Sequence, residues 1–212
     1  MNGRLALGLN GGVVAFNGDV TKHEFIPSIH NPNELRMGGG LHITGVLNPY
    51  LSLRYNWFHG QLHGVKKDMQ FSSVFNDHSL QLLLNINAVL FERPEKAWVT
   101  VFGIVGYGLN SFRSKRMTYP GGVVLEGYGY DFAGKKSGSV TKELSIPVGL
   151  SVRTRLDRFI KNYESFMASD RVELMLDLMV HFVNSDKMDA LDNTKGNDKF
   201  AYLSLGLAFY LF

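Results

Sequence analysis

Residues 144–156 read LSIPVGLSVRTRL, so that Leu144, Ile146, Val148, Leu150 and Val152 alternate with Ser145, Gly149, Ser151, Arg153 and Arg155. A period of two places the first set on one face of an extended strand and the second on the other. The run is about twice as long as an ordinary soluble strand and long enough for a tilted strand to cross a bilayer. Pro147 has no N–H to give to a ladder and is expected at a bulge or near the strand's end.

The same alternation recurs on both sides of this stretch. Residues 171–184 set Val172, Leu174, Leu176, Leu178, Val180 and Phe182 against Arg171, Glu173, Asp177 and His181. From residue 51 onward, Leu51, Leu53, Tyr55 and Trp57 oppose Ser52, Arg54 and Asn56. That band ends in the aromatic pair Tyr55 and Trp57, as apolar bands do at a membrane interface. Residues 79–91 place Leu80, Leu82, Leu84, Ile86, Ala88 and Leu90 opposite Gln81, Asn85 and Asn87. Residues 4–16, 35–47, 98–110 and 200–212 complete a set of eight.

The fold predicted is all-β: one domain over residues 1–212, an eight-stranded antiparallel up-and-down transmembrane β-barrel. Connections that are long at 17–34, 64–78, 111–143 and 185–199 but short at 48–49 and 92–97 predict long extracellular loops and short periplasmic turns. Residues 157–170 are long where a short turn is due. They carry Phe159, Ile160, Tyr163 and Phe166 among charges, which predicts a small interfacial excursion.

Composition agrees. Apolar residues make up 45% and charged residues 19%, with 23 Gly, 15 Phe and 9 Tyr, a mixture suited to strands and turns. The richest apolar run, LLLNINAVLF, is broken by Asn85 and Asn87, which excludes a spanning helix. The opening MNGRLALGLN has no basic segment followed by a long apolar run, so any export signal is expected to be absent already. The absence of cysteine excludes disulfides and thiolate metal sites. A net charge of +3, dispersed along the chain, lacks the clustered footprint of a nucleic-acid binder.

A soluble barrel also alternates, but with its apolar face inward. Here the polar faces carry Gly, Ser, Asn and paired opposite charges, not the dense Lys and Glu of a solvated surface. The inside-out arrangement fits better. A register that sets Arg155 opposite Arg171 and Arg153 opposite Glu173, with Asp177 further along, predicts an interior charge network of Arg153, Arg155, Glu173 and Asp177. Eight strands leave a lumen with room only for side chains.

The arrangement resembles the eight-stranded N-terminal domain of the outer-membrane protein A family over nearly the whole chain. More narrowly, LNPYLSLRYNWFHGQLHG (47–64), LSIPVGLSVRTRL (144–156) and NSDKMDALDNTKGNDKFAYLSLGLAFYLF (184–212) are similar to small barrels of gliding bacteria. These include the barrel subunit of the type IX secretion machinery. The resemblance implies a place in the bacterial outer membrane, with membrane lipid, lipopolysaccharide and other outer-membrane or periplasmic proteins as partners. The peptidoglycan-binding activity found in that family is not carried over, because the resemblance covers the barrel alone. The closing YLF resembles a barrel-assembly signal, although Leu203, Leu205, Leu207, Phe209 and Leu211 form the lipid face and put Phe212 opposite.

Chemical sites are sparse. His59 and His63 share a face without a third ligand and read as rim histidines. Asp192, Asn193, Asn197 and Asp198, near Asp186 and Asp189, offer oxygen ligands but lack calcium-loop spacing, and read as a solvated turn. Asp177 and His181 are about 13 Å apart along one strand, too far for an acid–base pair. His78 beside Asp77 is the other candidate pair. No catalytic, cofactor or metal residue is assigned. Arg113, Lys115, Arg116, Lys135, Lys136 and Lys142 form a basic stretch that could meet lipopolysaccharide phosphates or stand as a solvated loop. Tyr119, Tyr128, Tyr130 and Phe132, interleaved with glycines, suggest a protein-docking surface. The expectation is a non-enzymatic structural or docking subunit of an outer-membrane complex. A narrow pore or transporter, an outer-membrane enzyme and a soluble ligand-binding barrel stand as alternatives.

Overall fold

The alternating segments pair into a closed wall. The computed structural model describes residues 5–18, 34–90, 97–131, 133–138, 140–156, 172–190 and 197–211. Its elements are β1 (Leu5–Asn17), β2 (Arg36–Val46), β3 (Leu51–Lys66), β4 (Met69–Asn85), α1 (Ile86–Leu90), β5 (Thr100–Thr118), β6 (Val124–Tyr128), β7 (Thr141–Arg155), β8 (Val172–Val183) and β9 (Lys199–Tyr210). Every pairing is antiparallel, and the ring β1-β2-β3-β4-β5-β7-β8-β9 closes where β9 meets β1. The eight-stranded barrel predicted from periodicity is the fold observed. β6 lies outside the ring and pairs with the last residues of β5.

The wall is inside-out relative to a soluble protein. Leu41, Leu80 and Leu205 are more than half exposed on the outer surface, while Arg54, Gln81 and Asp77 are 0% exposed in the lumen. Only a barrel bathed in lipid gains from that polarity, because apolar side chains in water give up the burial that stabilises a soluble fold.

Beyond a sharp level, the polarity reverses. On β4, Leu80, Leu82 and Leu84 face out and Ser79 and Gln81 face in, but past His78 the outward residues are Asn76 and Val74 and the inward ones are Phe75 and Phe71. β3 changes over after Trp57, where Phe58 and Leu62 turn inward; β5 does so after Leu109, where Phe112 turns inward. On β1 and β9 the inward apolar residues at the same end are Val14, Phe16, Phe200 and Tyr202. The strands thus run out of an apolar girdle into a region built like a soluble sheet.

That reversal corrects two of the predicted loops. Residues 64–78 are not a loop: β3 and β4 continue through them to a tight turn at Lys67 and Asp68, with Lys67 in the left-handed conformation at φ 53°. Residues 111–143 are not an open loop either, since β5 runs to Thr118 and turns back as β6. The predicted connection at 17–34 lies largely, and the excursion over 157–170 wholly, outside the described residues, while of the connection at 185–199 residues 185–190 and 197–199 are described.

At the opposite end, where β1 begins and β9 finishes, the predicted strand 79–91 stops at Asn85. The Asn85 side chain accepts the Ala88 N–H at 3.1 Å and caps α1. Asn87 accepts the Val101 N–H at 2.7 Å and donates to the Val99 carbonyl at 2.9 Å, which fixes the approach to β5. The two asparagines end the strand; they do not line the lumen.

Candidate functional site

The lumen holds two stacked layers. In the girdle layer, the fully buried Arg54 on β3 donates from Nη1 to Asp177 Oδ2 on β8 at 2.7 Å and from Nε to Gln81 Oε1 at 2.7 Å. β3 and β8 are diametrically opposite in the ring of eight, so this ion pair spans the lumen. Gln81 in turn donates to Ser79 Oγ at 2.9 Å.

The predicted network is partly displaced. β7 and β8 pair two residues away from the expected register, with Arg155 opposite Glu173, Arg153 opposite Met175 and Ser151 opposite Asp177. Arg171 lies outside the described residues. Arg153 is buried, donates from Nε to Ser151 Oγ at 3.2 Å and lies 4.7 Å from the centroid of the Phe102 ring. Its Nη1 is 4.0 Å from Glu173 Oε2, which also accepts the Tyr210 hydroxyl at 2.9 Å. Arg155, the last residue of β7, is exposed and stands outside the lumen layer. Sequence reading missed Arg54 as the central cation because a pairing across the lumen leaves no trace in the register of neighbouring strands.

A second constellation was also missed. Asp77 on β4 faces His181 on β8, with Asp77 Oδ1 3.4 Å from His181 Nδ1, and neither has exposed side-chain surface. Ser145 Oγ donates to the same Asp77 oxygen at 3.1 Å, and Asn110 Nδ2 approaches it at 3.4 Å. Gly108 leaves room for the group, since a Cβ there would stand 2.7 Å from Ser145 Oγ. Serine, histidine and aspartate are together, but the carboxylate sits in the middle. A nucleophilic serine must donate to the imidazole, and here it donates to the acid instead. The pairs weighed from sequence are not formed: Asp177 goes to Arg54, and His78 faces outward with Nδ1 2.8 Å from the Tyr55 hydroxyl.

Above this layer the lumen is filled by rings. Phe58 stacks on Tyr202 at 4.2 Å, His181 on Phe200 at 4.5 Å, Phe75 lies 4.6 Å from Phe200 and Phe16 4.7 Å from Phe71. Gly38 and Gly60 make space, as a Cβ on either would fall under 3 Å from the Phe58 or Phe75 ring. The segment after β8 covers the plug: Met188 is fully buried in it, and Ser114 Oγ donates to the Lys187 carbonyl at 2.7 Å.

Of the outer residues singled out from sequence, Tyr55 and Trp57 sit next to each other on the outer face at the reversal level. Tyr119 is exposed. Tyr128 and Tyr130 are half-buried, with Lys187 Nζ 5.9 Å from the first ring and Lys115 Nζ 5.3 Å from the second. Phe132 lies outside the described residues. His59 is an exposed residue 3.0 Å from Asn76 Oδ1, and His63 is half-buried. The expected solvated acidic turn is corrected in part: Asp186, Asp189 and Asp198 bring carboxylate oxygens within 4.8 Å of one another, and Asp189 and Asp198 are buried. Asp198 Oδ2 accepts the Met188 N–H at 2.8 Å. Asp192 and Asn193 lie outside the described residues.

No protein-family model and no curated protein matches the chain. Solved structures do. A major outer membrane protein from Thermus thermophilus aligns over 100% of both chains at 12% identity and a TM-score of 0.53. Ail, the attachment invasion locus protein of Yersinia pestis, solved with the heparin analogue sucrose octasulfate, aligns over 100% of both chains at 12% identity and 0.50. At such identities the likeness is one of fold.

Proposed function

We propose that this chain, which has the fold of bacterial outer-membrane barrels, is a non-enzymatic structural or docking subunit of an outer-membrane complex. Secretion or assembly machinery is the setting suggested by the sequence resemblance, with membrane lipid and outer-membrane or periplasmic proteins as partners and no cofactor. One observation supports this reading above others: the lumen is filled. An ion pair spans the girdle layer, and Phe58, Phe75, Phe200 and Tyr202 pack above it with almost no exposed surface. Among the described residues such packing opposes a transport path, and the Asp77–His181–Ser145 group has neither the order nor the access of a catalytic site. Activity therefore falls to the outer surfaces.

The test is affinity purification in mild detergent of the chain tagged ahead of β1. Stoichiometric co-purifying proteins that are lost when Tyr119 is replaced by Ala support docking; a chain recovered alone opposes it. The pore reading is tested in a planar bilayer, where the purified barrel is expected to give no steady conductance and a stable step would transfer the assignment to a pore.

A further inference from the structure

The outer faces of β4, β5 and β7 change character one row above the girdle. The last apolar row aligns His78 with Leu109 and Leu144; the next aligns Asn76 with Ser111 and Lys142; the one after it aligns Val74 with Arg113. At about 3.3 Å per residue and a tilt near 40°, Ser111 and Arg113 stand about 5 and 10 Å above Leu109 along the membrane normal. The polar zone of a bilayer is about 5–7 Å deep on each side, and a long side chain bridges the remainder. These rows therefore lie at headgroup depth.

A cavity of about 110 Å³ opens on this face, lined in part by Asn76, Ser111, Arg113, Tyr130 and Lys136. It has room for a group the size of a few water molecules. None of its lining residues is acidic. Arg113 Nε is buried and makes no hydrogen bond among the described residues. Two nearby acids are engaged elsewhere: Glu126 pairs with Arg116 at 2.8 Å, and Asp131 accepts the Lys135 N–H at 2.8 Å. A desolvated guanidinium donor with no acceptor is costly and marks a place where an anion would fit. Tyr130 is held over the cavity by its bridge to Lys136 and by Lys115 beside its ring.

We propose that this cavity binds a phosphate group of a membrane-lipid headgroup, with Arg113 and Lys136 supplying the positive charge and Lys142 standing one row below. The assignment rests on the barrel's lying in a membrane and is independent of the docking role. Lipid phosphate is favoured over a soluble anion because the cavity faces outward at headgroup depth and not into the lumen.

The test uses native mass spectrometry of the detergent-solubilised barrel with diphosphoryl lipid A as probe, comparing wild type with Arg113→Gln/Lys136→Gln and with Lys136→Gln alone. Heat-dependent gel mobility is recorded for each protein as the check on folding. Wild type is expected to retain the lipid, the double variant to retain it about tenfold less, and millimolar inorganic phosphate to leave retention unchanged. Equal retention by wild type and variants, or none by wild type, overturns the proposal. Displacement by inorganic phosphate overturns the lipid assignment in favour of a free anion. A wild-type chain with no mobility shift would instead sink the membrane-barrel premise. Should the double variant misfold, unchanged retention by Lys136→Gln is the refuting result.

Discussion

Replacing Asp177 by Leu tests whether the ion pair across the lumen supports the barrel. Arg54 is 0% exposed and Asp177 1%, at 2.7 Å. With an effective dielectric constant near 20, two unit charges at that distance attract by about 6 kcal/mol before desolvation is counted. Removing one partner leaves the other buried and uncompensated, a loss of about 3–5 kcal/mol. The two single variants should differ. Without Asp177, Arg54 keeps only Gln81 as a partner among the described residues and faces the like charge of Arg153; without Arg54, Asp177 still feels Arg153 and Ser151. Asp177→Leu is therefore expected to be the more damaging, and the double variant Arg54→Met/Asp177→Leu to recover most of the loss. Urea unfolding in lipid vesicles, followed by the fluorescence of Trp57 and Trp98, reads the result. With a slope near 2 kcal/mol per molar, the Asp177→Leu midpoint should fall by about 2 M. A midpoint within the roughly 0.5 kcal/mol scatter of surface substitutions, or a double variant as unstable as the sum of the singles, would refute the reasoning.

Three further outcomes follow from local geometry. Gly8→Val drives a side chain into the His42 imidazole and towards the Leu207 carbonyl, so a loss of about 1–3 kcal/mol is expected, partly recovered by adding His42→Ala; full stability in the single variant would contradict the packing. Asn87→Ala removes the two hydrogen bonds that hold the approach to β5, and urea unfolding should show about 1–3 kcal/mol less stability, against no change if α1 is a passive turn. In a Trp98→Phe background, Trp57 fluorescence should be quenched most by lipids brominated high on the acyl chain, and quenching strongest at the bilayer centre would misplace the girdle edge.

What the sequence disclosed depended on where each side chain meets its surroundings. The barrel was legible because lipid outside and a polar lumen inside impose one unbroken alternation, as in residues 144–156. Strand ends were not, because the alternation reverses phase at the membrane surface: Phe71 and Phe75 carry the same apolar signal as Leu80 and Leu82 but on the opposite face. A pattern search that keeps one phase stops there and records a loop. Asn85 and Asn87 were misread for a related reason, since a capping asparagine falls in step with a lumen-facing one. The sequence pattern pointed to Arg153, Glu173 and Asp177 but not to Arg54, because the Arg54–Asp177 pair joins strands from opposite sides of the ring.

The same reversal bears on how the barrel meets other molecules. β3, β4 and β5 leave the girdle as a paired sheet backed by Phe58, Phe71, Phe75 and Phe112, so the region first read as open loops is packed and hydrogen-bonded. A lipid phosphate at the Ser111 and Arg113 rows, or a protein at Tyr119 beyond them, meets a preformed surface. Ordering a long, side-chain-rich loop on contact costs about 0.5–1.5 kcal/mol for each side chain immobilised, and a surface already held by its own core does not carry that cost again. The filled lumen and the protruding sheet are thus one design: the rings that fill the barrel are the rings that stiffen the surface on which the proposed contacts are made.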